Sequence, residues 1–86
     1  MPELSRFYGI VISMYHNDHN PPHFHVRYGG STALVCIDPI TMLRGHLPAS
    51  VRRSVMVWAR EHQDELSTAW DQAQRGEAPG RIAPLR

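Results

Sequence analysis

The hydrophobic pattern changes period once along the chain, near Leu47. Before it, apolar residues come in short runs or alternate with polar ones, as strands do; after it they recur every three or four positions, as on one face of a helix. Phe7 to Tyr15 (Phe-Tyr-Gly-Ile-Val-Ile-Ser-Met-Tyr) is rich in β-branched and aromatic side chains and too continuous for an amphipathic helix, so it predicts a first strand. Tyr8, Ile10, Ile12 and Met14 alternate with Phe7, Val11 and Tyr15, which makes both faces largely apolar and the strand central or doubly covered. Gly9 marks a bulge or the close approach of another backbone. A polar loop, His16 to Pro22, follows. Next comes strict alternation: Phe24, Val26 and Tyr28 are apolar, and His23, His25 and Arg27 polar. That predicts a second strand with one buried face. Gly29-Gly30 supplies a tight hairpin turn, Ser31 to Asp38 pairs back as a third strand, Asp38 to Thr41 turns again, and Met42-Leu43-Arg44 forms a short fourth strand.

Beyond Leu47, Val51, Val55, Trp58, His62, Leu66, Ala69, Trp70 and Ala73 make one apolar stripe, while Arg52, Arg53, Arg60, Glu61, Asp64, Glu65 and Asp71 largely lie off it. The pattern predicts one helix, or two joined at a bend, from about Pro48 to Arg75, started by Pro48 and ended by Gly76, Pro79 and Gly80. A straight helix of that span is ~40 Å long against roughly 27 Å for an eight-residue strand, so it must overhang the sheet, bend or meet a second chain. In the tail from Glu77 to Arg86, Ile82 and Leu85 can anchor to the core as a short edge element. The expected fold is α+β, with a four-stranded, mainly antiparallel meander sheet and one long carboxyl-terminal helix across one face. It forms a single domain, 1–86, that buries Phe24, Val26, Val55, Trp58, Leu66 and Trp70.

Composition narrows the function classes. A chain of 86 residues has a modest core, and one helix cannot cover both faces of an apolar strand, so a homodimer or a partner protein is expected. The formal charge of +1 creates no global basic field, and nucleic-acid binding would have to come from a local patch. All nine basic residues are arginine, the better fork for phosphate, although genomic base composition produces the same bias. Cys36, the only cysteine, sits in the apolar run Ala33 to Ile37 and reads as a small buried hydrophobe. Met1 to Arg6 lacks the pattern of a signal peptide and no apolar run approaches ~20 residues, so the expected location is the cytoplasm, with no membrane partner. His62, Trp58 and Trp70 fall on the apolar stripe and read as core residues.

The unusual chemistry lies in Tyr15 to Tyr28, which contains four of the six histidines. In the loop His16-Asn17-Asp18-His19-Asn20-Pro21-Pro22, Asn and Asp fold back on their own backbone and two prolines restrict φ. In the strand, His23, His25 and Arg27 stand in a row about 7 Å apart on the non-core face.

The runs Phe7 to Ile12, Met14-Tyr15, Asn17 to Val26 (Asn-Asp-His-Asn-Pro-Pro-His-Phe-His-Val), Gly45-x-Leu47-Pro48 and Trp58-Ala59 resemble a family of small bacterial proteins catalogued as domain of unknown function number four-one-six-zero. The resemblance covers nearly the whole chain and implies no settled activity. It implies an association with neighbouring genes of the toxin–antitoxin or regulatory kind. The element order is also similar to that of small toxin ribonucleases with a double-stranded-RNA-binding-like fold, an analogy of architecture.

Three readings of the histidine surface follow from its chemistry. In the first, the protein contacts or cleaves RNA: His23 and His25 supply acid and base, Arg27 holds the phosphate and His19 assists in substrate binding, with Tyr15 or Tyr28 stacking a base. In the second, His19, His23, His25 and Asp18, or His16 in place of His19, hold zinc or a similar divalent ion. In the third, the cluster is a hydrogen-bonded scaffold or protein interface in which Arg27 neutralises Asp18. The first is the leading expectation, in a small intracellular module of toxin–antitoxin or regulatory type.

Overall fold

The computed structural model describes residues 3–86. Met1 and Pro2, part of the amino-terminal stretch read above, lie outside the described residues. Five strands, β1 (Glu3–Phe7), β2 (Ile10–Ser13), β3 (His23–Tyr28), β4 (Ser31–Ile37) and β5 (Ile40–Gly45), form one antiparallel meander sheet in sequence order. Two helices follow, α1 (Ala49–Glu61) and α2 (Gln63–Gln74). The α+β class and the meander are as expected; the strand count is not, and of the two helical alternatives it is two helices joined at a bend, not one long helix, that forms.

The apolar run from Phe7 to Tyr15 is not one strand. It is broken at Tyr8-Gly9, where both residues have positive φ, 54° and 77°, and a two-residue hairpin loop sends the chain back. A type I′ hairpin turn requires positive φ at both central positions. Gly9 takes it freely, whereas Tyr8 gives no such signal in sequence, since a bulky residue rarely adopts that region. The turn also explains why both faces looked apolar: Phe7 and Ile10 face each other across two strands.

Core residues come from one face of the sheet. Ile10, Ile12, Phe24, Val26, Ala33, Val35 and Ile37 are all buried, and they meet Val51, Val55, Trp58, Ala59, Leu66, Ala69, Trp70 and Ala73 from the helices. All six residues singled out as core are buried, as is Cys36. Tyr28 departs from its strand's alternation: it ends β3 beside the Tyr8-Gly9 turn and is 37% exposed.

The helical stripe is continuous in sequence but bent in space. The chain leaves helical geometry at His62 (φ −120°, ψ 24°), whose ring nitrogen Nδ1 contacts the Glu65 carboxylate. A straight rod of ~40 Å would exceed the molecule's longest dimension of 33 Å, and breaking it lets both halves bury their stripes against one small sheet. No overhang remains. No helix is long and apolar enough to cross a membrane among the described residues. In the tail Ile82 is buried, its N–H donates to Leu4 O at 2.7 Å, and Trp58 Nε1 donates to Ala83 O at 2.8 Å.

Candidate functional site: a carboxylate between two histidines

The loop from Tyr15 to Pro22 crosses the end of the sheet and is fastened to α2. Asn17 N–H donates to Ala73 O, and Gln74 Nε2 donates to Asp18 O at 3.1 Å. Asn17 sits at φ 54°, a conformation asparagine tolerates better than most residues. These anchors aim the Asp18 side chain back at β3.

There one oxygen meets two rings: Asp18 Oδ2 lies 3.0 Å from His23 Nε2 and 3.0 Å from His25 Nε2. The other oxygen, Oδ1, accepts the backbone N–H of His19 at 2.8 Å. One ligand-capable atom from each of the three residues falls within 4.8 Å of the others. Burial pushes the Asp18 carboxyl up, but the hydrogen bonds from His25 and the His19 N–H, with the charges of His23 and His25, outweigh it and hold the group below its ordinary value. Asp18 is therefore a carboxylate.

His23 is buried, 5% exposed, with its ring centroid 5.3 Å from Trp70 and 5.3 Å from His25. Its Nδ1 is 2.7 Å from Pro21 O. A carbonyl only accepts, so Nδ1 carries a proton; Nε2 then donates to the carboxylate if the ring is an imidazolium and turns a lone pair toward it if the ring is neutral. Two acceptors 3.0 Å apart repel unless a proton or a cation lies between them. His25 is more open and has Tyr15 edge-on at 4.3 Å between centroids.

The other expected site residues are placed differently. His19 contributes its backbone to the cluster, while its exposed imidazole is not among the converging groups; His16 and His46 are exposed elsewhere. Arg27 projects from the same face of β3 as His25 but does not pair with Asp18, because the two histidines occupy that carboxylate. His23 does not stand exposed beside His25 and Arg27 as alternation alone implied. It is the strand's first residue, where the loop and Trp70 close over it.

Sequence reasoning missed Pro21 O and Trp70, which pack the cluster, and Arg44, which joins the same open face. Only the distance between loop and helix, invisible in a linear pattern, places the first two. Arg44 was hidden by a bulge. β5 pairs Met42 with Val35 but Arg44 with Leu34, so Leu43 is an extra residue and the face alternation reverses after it.

Comparison with curated proteins and with solved structures gives no match. A family model does match residues 9–71, a span running from the first hairpin turn through the histidine loop into α2, and the chain therefore belongs to the family described as a domain of unknown function (DUF4160).

Proposed function

We propose that Asp18, His23 and His25 hold a single divalent ion, zinc or one like it, in a small module of regulatory or toxin–antitoxin type. The observation that carries the proposal is the convergence of three ligand atoms, Asp18 Oδ2 and the Nε2 of His23 and of His25, within 4.8 Å of one another. His23 Nδ1–H is committed to the Pro21 carbonyl, so Nε2 is the ring nitrogen turned to the carboxylate and, in a neutral ring, the one that would bind a cation. A metal-bound histidine ordinarily donates its second ring nitrogen to a carbonyl or carboxylate in this way. Bonds of roughly 2.0–2.2 Å to nitrogen and oxygen around a tetrahedral ion would separate ligands by about 3.3 Å, a small opening of the contacts present here. Two histidines and one carboxylate leave coordination positions for water or a substrate, the set seen in open rather than purely structural metal sites.

The alternative in which His23 and His25 act as acid and base on RNA asks for two imidazoles open to substrate. His23 is buried with both nitrogens engaged, which favours the metal reading over cleavage by the pair. The test is metal analysis of untagged protein after exposure to zinc. About one ion per chain is expected, with a rise in melting temperature, weaker binding on acidification as the ligands protonate, and loss of the ion in His23→Ala and Asp18→Asn. The three exposed histidines give a background, which the two variants separate from the site. If wild type takes up no more zinc than His23→Ala and its melting is unmoved, the cluster is an imidazolium–carboxylate scaffold and the proposal fails.

A further inference from the structure

The sheet face turned away from the helices carries two arginines that the metal cluster does not use. Strand register aligns Ser13, His25, Leu34 and Arg44 in one row across β2 to β5, and Val11, Arg27 and Thr32 in the next row. Arg27 on β3 and Arg44 on β5 are thus two strand spacings and one row apart, ~12 Å. Between them lies a shallow concavity of about 310 Å³ with Tyr15 at its margin and Ala33 and Leu34 in its lining. That lining contains two guanidinium groups and an imidazole and no carboxylate. Arg6, which register places in the same row as Arg27 with Val11 between them, is held by Glu3 at 2.7 Å; Arg27 and Arg44 make no ion pair among the described residues.

We propose that this face binds a nucleotide unit of single-stranded nucleic acid, with the phosphate held by Arg27 and Arg44 and the base lying against Tyr15 and the apolar lining. Charge decides the sign of the ligand, since two unpaired cations in a carboxylate-free hollow select an anion. Shape decides its class. An open sheet with an aromatic margin and an apolar lining offers a flat, sequence-tolerant platform for a base, which a carboxylate-bearing peptide does not need. A 310 Å³ hollow takes one unit of a strand, and its neighbours would run on over the exposed surface. The hollow shares His25 with the metal proposal but does not depend on it, because Arg27 and Arg44 are not among the converging ligand groups.

Fluorescence anisotropy with short labelled single strands of RNA and of the same sequence in DNA, measured with chelator present, tests it. Binding is expected to weaken linearly on a log–log plot against salt. Arg27→Gln and Arg44→Gln should each weaken binding several-fold and flatten that slope, the double variant by about 0.7, the loss of one single-strand phosphate contact. Tyr15→Ala should weaken it on the order of tenfold with less change of slope. Both arginines are exposed, so circular dichroism and melting should match wild type. Binding of RNA alone or of both strands supports the proposal, the preference reporting whether the 2′-hydroxyl is read. The proposal is overturned if neither strand binds at low salt, if both arginine variants bind like wild type, or if polyglutamate displaces the strand as well as unlabelled RNA does.

Discussion

Ser5 and His23 are both polar and both buried, with opposite consequences. β1 has its own bulge: Glu3 pairs with Ser13 but Ser5 with Ile12, so Leu4 is the extra residue and Ser5 turns to the core face. Its Oγ is buried with no hydrogen-bond partner among the described residues. An unsatisfied hydroxyl costs ~1–3 kcal/mol, so Ser5→Ala should raise stability by about 1 kcal/mol, read as a higher urea midpoint at unchanged slope. A lower midpoint would mean that the hydroxyl has a partner after all. His23, by contrast, has both ring nitrogens engaged and a tryptophan at its edge, the sort of holding that a fixed ligand geometry requires.

Among the elements, β5 matters beyond its length. The bulge at Leu43 sends Arg44 to the open face and returns Gly45 to the side of Ala33. Gly45 has φ +90°, and a Cβ there would lie 2.3 Å from Thr32 O and 2.8 Å from Ala33 Cα, both backbone atoms that cannot step aside. Gly45→Ala should therefore cost about 3 kcal/mol, from a strained backbone plus overpacking, and should disturb Arg44 along with it. Chemical denaturation measures the first effect and loss of strand binding the second; an alanine variant as stable as wild type would contradict the close approach. The helices show the same division between local and imposed geometry. Local periodicity favours one long stripe, and the size of the sheet it must cover breaks that stripe at His62.

For the molecule as a whole, the expectation of a homodimer loses one of its supports. The overhanging helix that would have met a second chain is folded back, and every buried helix residue is already in the core of its own chain. What remains is the edge of β5, where Leu43 is 44% exposed and backbone groups on the outer side have no strand beside them. A dimer built there would sediment at twice the chain mass and come apart in Leu43→Lys; a monomer at high micromolar concentration would remove the idea.

Alternation and helical spacing by themselves determined much of this protein: three hairpin-linked strands, the apolar stripe, the six core residues that the two patterns mark, and the crowding of histidines around one loop. These are properties of neighbouring positions, and periods of two and near four report them directly. Tertiary structure decided what depends on residues far apart or on backbone state: the positive φ of Tyr8 that makes a fifth strand, the bulges that turn Ser5 inward and Arg44 outward, and the break at His62. It also decided the chemistry. Asp18 reaches His23 and His25 because α2 holds the loop over the strand, and His23 is sealed because Trp70 and Pro21 close on it. A side-chain pattern shows which groups are near in sequence; which of them share one carboxylate is settled by how the loop is tied down.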